Sequence, residues 1–141
     1  MNNPFFNIEK EKLAIAHRQW IRANRVKKYY EFTLTKVDKE ATQDMVRFYL
    51  SDAGIFMFLW YSLLFSVIEI LENANINLST LDKDFSALKS ELRKSRNSIF
   101  HGVNTYWDKR QFDLISQPHA GQRIRQIHDA LGEYFLEVMK K

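Results

Sequence analysis

The sequence predicts an all-α fold, a four- or five-helix bundle, and three observations carry that expectation. Glycine occurs four times and proline twice in 141 residues, too few to punctuate a many-stranded sheet. Apolar residues recur at three- and four-residue spacing through much of the chain, the period of a helix that buries one face. Ala53 to Ile68 carries no charge at all, as in a helix buried on nearly all sides.

Taken in order, a first helix is expected from about Ile8 to the mid-thirties, with Leu13, Ala16, Trp20 and Ala23 as its inner stripe. Tyr29, Tyr30, Phe32 and Leu34 tolerate β structure, so they do not fix its end. A second element starts after Asp38 and leads through Met45, Phe48 and Tyr49 to a break at Ser51-Asp52, where either side chain suits a helix cap. The apolar helix follows, bounded by Asp52 and Glu69. A membrane span is its sharper reading, but spanning takes about 20 residues, and a core helix fits the shorter run. Asn73 to Thr80 is a polar connection. Another helix begins near Leu81 or Asp84 and closes near Gly102, a residue type common just past helix ends. Asn104 to Pro118 reads as a loop with one short turn near Phe112 to Ile115. Pro118 suits the first position of a last helix striped by Ile124, Ile127, Leu131, Phe135 and Val138. No repeat or linker divides the chain, and residues 1–141 are expected to form one domain.

Composition narrows the function classes. Hydrophobic residues at 45% and charged residues at 27% describe a folded chain. The absence of cysteine excludes disulfides, a thiolate nucleophile and cysteine metal sites. His17, His119 and His128 lack ligand spacing and an accompanying carboxylate pair, so neither metal nor cofactor is expected. Met1 to Phe6 lacks the charged start and apolar run of a secretory signal, and a cytoplasmic protein without a membrane anchor is expected. A formal charge of +4 is too small for nucleic-acid binding by bulk electrostatics, but the cations are clustered. Lys10, Lys12, Arg18, Arg22, Arg25, Lys27 and Lys28 crowd the first helix, and Arg93, Lys94 and Arg96 crowd the later one. Two readings stand: a groove for a phosphate backbone if these surfaces meet, or ordinary solvated helix faces.

Arg96-Asn97-Ser98-Ile99-Phe100-His101 is the stretch with chemical content, since it sets a cation, an amide and an imidazole near the end of an apolar helix. At about 100° per residue, Leu88, Leu92, Ile99 and Val103 share one arc, which Leu81 and Phe85 extend. Arg96 leaves the helix at the margin of that arc, where a cation requires a partner, a ligand or a second chain. Asn97 and His101 are neighbours on another side, with Arg93 one turn earlier, so Arg96 must reach around to join them. The chemistry of the three groups suits RNA cleavage by the 2′-hydroxyl. His101 is expected to move a proton near neutral pH, Arg96 would stabilise charge on the phosphorane-like transition state, and Asn97 could orient phosphate or ribose. A single histidine cannot comfortably act as base and acid on opposite sides of one phosphorus, so two motifs facing each other are expected.

The order Arg, polar residue, three residues, His, with Ile99-Phe100 before the histidine, resembles the signature of the HEPN superfamily of small all-helical domains. Trp60 to Glu69 is similar to the long central helix of its small plasmid- and phage-associated members. The resemblance implies a HEPN-like domain acting as a metal-independent endoribonuclease of toxin or phage-defence type. It also implies a composite site at a homodimer interface, a 2′,3′-cyclic phosphate product, and RNA and an antitoxin protein as partners. Because fold alone does not give function, the alternative is a non-catalytic module of the same fold that binds RNA, nucleotide or a protein partner. Around the motif, Arg93 and Lys94 read as phosphate contacts or solvated residues. Tyr106, beside Trp107, reads as a base-stacking ring or as part of the core. Glu69 reads as a partner for Arg96 or for an amide across the core, or as a plain helix-end carboxylate.

Overall fold

A computed structural model describes residues 8–37, 44–100 and 109–139, and within them every regular element is helical. The order is α1 (Ile8–Leu34), α2 (Met45–Leu50), α3 (Asp52–Asn73), a 3-10 turn (Ser79–Leu81), α4 (Phe85–Phe100), α5 (Lys109–Ile115) and α6 (Ala120–Met139). Six α-helices among the described residues exceed the four or five expected. The sixth is α5, a helix of seven residues where the sequence predicts a loop with one short turn near Phe112 to Ile115. α2, of six residues, is the expected second element, and each of the two is too short to stand without tertiary packing.

α3 is the axis of the protein. Ala53, Leu64, Val67, Ile68 and Leu71 are inaccessible to solvent, and Trp60, Tyr61 and Phe65 are nearly so. Burying a large apolar side chain stabilises by about 1.5–3 kcal/mol, so this helix contributes much of the hydrophobic driving force. α1 lies antiparallel to it: Tyr30 stacks on Trp60, Gln19 Nε2 donates to Ser66 Oγ at 3.3 Å, and Lys12 Nζ donates to the Asn73 carbonyl at 3.4 Å. α4 is antiparallel to α3 on another flank, and α6 returns along α1, with Arg125 bonded to Glu31 and His17 against Phe135. The uncharged run is therefore part of a longer helix of 22 residues, long and apolar enough to cross a bilayer, and 61% of its most apolar window is buried by the neighbouring helices.

Local signals set the ends of α3. Ser51 is the N-cap, its Oγ accepting from the Gly54 N–H at 3.1 Å while its hydroxyl donates to the Phe48 carbonyl at 2.7 Å. Gly54 is required at this corner, since a Cβ there would fall on the Phe48 carbonyl. At the other end, Asn75 adopts φ 64°, the Ile76 N–H reaches the Leu71 carbonyl and the Asn75 N–H reaches that of Glu72. That is a Schellman closure, and it turns the chain so that α4 comes back along α3.

Of the two starts expected for α4 the later, near Asp84, is realised, and the start of α6 differs from expectation. α4 begins at Phe85, because Ser79–Leu81 forms a separate 3-10 turn and Asp82 accepts from the Asp84 N–H at 2.9 Å. The same Asp82 carboxylate binds Arg123, which lowers the carboxyl pKa, chiefly through that hydrogen bond, and ties the turn to the last helix. α6 begins at Ala120 rather than Pro118, since His119 takes φ 54° and breaks the helical path after the proline.

His128 is an unexpected member of the core, 1% exposed. Its Nδ1 accepts from Trp60 Nε1 at 3.0 Å, its Nε2 lies 3.0 Å from Asn24 Oδ1, and its carbonyl accepts from Trp20 Nε1. The Trp60 donor requires Nδ1 to be unprotonated, so the proton sits on Nε2 and is given to Asn24. Burial pushes the His128 pKa down to about 4, with Lys27 adding to the effect.

Candidate active site

The motif helix buries Phe85, Leu88 and Leu92, as its periodicity requires, and the same arc continues through Ser95 and Ser98. Ser98 Oγ donates to the Ser95 carbonyl at 2.7 Å, whereas Ser95 Oγ, fully buried, has no hydrogen-bond partner among the described residues. Two hydroxyls at apolar positions had no distinguishing signal in the sequence. Their burial leaves Arg96 and Asn97 at the edge of the packed face.

Arg96 keeps a quarter of its side chain exposed and is held on three sides. Its guanidinium lies 4.5 Å from the centre of the Phe65 ring, a cation–π contact. Nη1 donates to Glu69 Oε1 at 3.4 Å, and Nη2 and Nε converge on Asn97 Oδ1 at 3.1 and 3.4 Å. The reach around the helix that the projection demanded is made as far as Asn97, and Arg96 and Asn97 form one unit. Three of the five guanidinium N–H groups are engaged, which leaves two for an anion. Of the two readings of Glu69, the partner role is the one realised. His101 and Tyr106 lie outside the described residues, as does Trp107.

A cleft of about 410 Å³ runs between α3 and α4 beside this unit, walled by Phe65, Glu69, Glu72 and Asn73 and by Ser86, Lys89, Ser90 and Arg93. Lys89 Nζ bridges both oxygens of Glu72, at 3.1 and 3.2 Å. Arg93 is thus a wall of the cleft, while Lys94 pairs with Glu91 of its own helix at 3.3 Å. The sequence had placed these two adjacent cations in one class. Lys89 was missed, although its spacing of four and seven from Arg93 and Arg96 is a legible row on one helix face.

The basic crowd on α1 is divided. Lys12 reaches Asn73 at one end of the cleft, whereas Lys27 pairs with Glu31 at 2.9 Å beside Trp60, toward the opposite end of α3. Among the described residues no group of three or more histidine or acidic side chains is close enough to hold a metal ion. No protein-family model, curated protein or solved structure matches the chain.

Proposed function

We propose that the protein is a HEPN-like, metal-independent endoribonuclease whose site is completed by a second copy of the chain. The observation that carries the reading is the Arg96–Asn97 unit: a guanidinium fixed by Phe65, Glu69 and Asn97 with two N–H groups unspent, one turn before His101 in sequence. A preorganised cation of this kind stabilises charge that develops on non-bridging phosphate oxygens, because its orientation is fixed before the reaction.

In the proposed cycle His101 of one protomer takes the proton from the ribose 2′-hydroxyl, and the 2′-oxygen attacks the adjacent phosphorus. The P–O5′ bond breaks as the partner's His101 gives a proton to the departing 5′-oxygen. The products are a 2′,3′-cyclic phosphate and a free 5′-hydroxyl. Arg96 carries the charge of the pentacovalent state, and Asn97, whose Oδ1 is committed to Arg96, has its amide N–H groups for phosphate or ribose. A cytoplasmic location and restraint by an antitoxin protein belong to the same proposal.

Purified protein incubated with RNA in a chelator, beside Arg96→Ala, His101→Ala and a substrate lacking the 2′-hydroxyl, tests it. Cleavage is expected only by the unaltered protein on the ribo substrate, with cyclic phosphate ends. Cutting of the deoxy substrate, dependence on added metal, or full activity in His101→Ala would refute the mechanism. Binding of RNA without cleavage would establish the non-catalytic alternative.

A further inference from the structure

Lys89, Arg93 and Arg96 stand at i, i+4 and i+7 of α4 and form one row beside α3. The outer two are paired across the helices, Lys89 with Glu72 and Arg96 with Glu69. Arg93, between them, is exposed, lines the cleft, and has no hydrogen-bond or ion-pair partner among the described residues. Its whole guanidinium fork is therefore available, and such a fork matches the oxygens of a phosphate better than those of a neutral ligand.

The surroundings suit a polyanion that is thin and flexible. Ser86 and Ser90 bring hydroxyls to the same cleft and Asn73 an amide. Lys89 and Arg93 balance the two carboxylates of the lining, Glu69 and Glu72, and Arg96, paired with Glu69 just outside it, adds one positive charge. From Ser86 to Arg96 the helix rises about 15 Å, at about 1.5 Å per residue. A charged groove that tracks the backbone is the usual form of a single-strand site, and the cleft of about 410 Å³ lies along this row.

We infer that this cleft is the track for the RNA strand on one side of the scissile phosphate, with Arg93 contacting the backbone phosphate next to the one held at Arg96. The inference rests on the proposed role of Arg96. The contact adds affinity without base preference, since phosphate oxygens carry no sequence.

The test uses the cleavage-dead His101→Ala protein and a fluorescent single-stranded oligoribonucleotide, with anisotropy read across roughly 0.05 to 0.3 M salt. Adding Arg93→Gln is expected to weaken binding about four-fold near 0.15 M salt and to reduce the log–log salt slope by about 0.7, the share of one phosphate on a single strand. Arg93→Lys restores the slope, and Lys36→Gln, in the turn that follows α1, leaves it unchanged. Failure of the parent protein to bind, or an Arg93→Gln protein with the parent's affinity and slope, overturns the inference. Cleavage by the unaltered chain is scored separately. Cleavage with an unchanged Arg93→Gln slope removes the track and leaves the nuclease, whereas a reduced slope without cleavage removes the nuclease and leaves the track.

Discussion

Acidification from pH 7 to pH 5 is expected to destabilise this protein through His128. In the fold the ring is buried, its Nδ1 faces the Trp60 N–H, and its pKa is pushed down to about 4. Protonation would set donor against donor in a site where Lys27 and Arg125 oppose the charge and Asp129 and Glu31 offset them only in part. The unfolded chain binds that proton below about pH 6.5, the folded chain only near pH 4, so stability is intact above about pH 7 and is lost as pH falls through this window. Integrating between the two pKa values gives a loss of about 2 kcal/mol from pH 7 to pH 5 attributable to this one ring. Urea unfolding at pH 7, 6 and 5 of the unaltered chain and of His128→Leu measures it as a difference of pH dependences, whatever the variant costs at pH 7. Should the variant fold too weakly for that comparison, ring nitrogen resonances of the unaltered chain must still show a neutral Nε2–H tautomer at pH 5. Parallel stability curves, or an imidazolium signal at pH 5, would refute the reasoning.

Three further outcomes follow from the packing. Ser95→Ala is expected to raise stability by about 1 kcal/mol and the melting temperature by about 3 °C, because it removes a fully buried hydroxyl without a partner; an unchanged or lower melting point would mean the hydroxyl is bonded. Gly132→Ala sets a Cβ 2.6 Å from the Trp20 indole, which is held by its bond to the His128 carbonyl. Overpacking of about 1–3 kcal/mol outweighs a helix-propensity gain of up to about 1 kcal/mol, so calorimetry should show a net loss, and a stabilised variant contradicts the Trp20 packing. Glu69→Ala is expected to lower RNA cleavage by up to about five-fold at unchanged fold, the worth of a half-exposed ion pair that positions Arg96, with Glu69→Gln recovering part of it; equal activity in all three proteins would deny Glu69 that role.

The sequence revealed helices and faces better than it revealed neighbours. The extent of α1, the Ser51 cap and the burial of Phe85, Leu88 and Leu92 were legible, because each depends on residues within one or two turns of one another. The pairing of Arg96 with Glu69 was open, since it depends on the angle at which α4 returns along α3, which the Schellman turn at Asn75 sets. His128 shows the same limit in reverse: it sits beside Ile127 in an apolar stripe, yet its two partners come from positions 60 and 24, about a hundred or fewer residues away and invisible to any local pattern. Spacing recovers what one helix does alone, and only packing decides which of its exposed cations stays unpaired.

That distinction bears directly on the motif. Arg93, Lys94 and Arg96 are nearly equivalent as a string, but the fold treats them differently: Arg93 has no partner among the described residues, Lys94 has Glu91, and Arg96 has Phe65, Glu69 and Asn97. A guanidinium fixed by three groups and still offering two N–H bonds suits a transition state, where orientation matters more than affinity. An unpaired one suits a ground-state phosphate, which needs charge and little geometry. The division of labour proposed for Arg96 and Arg93 therefore predicts different kinetic signatures. Arg96→Ala should lower kcat and kcat/KM together, whereas Arg93→Gln should raise KM and leave kcat near its original value. If both substitutions acted on kcat alone, the two arginines would share one role, and the cleft would have no part in holding the strand.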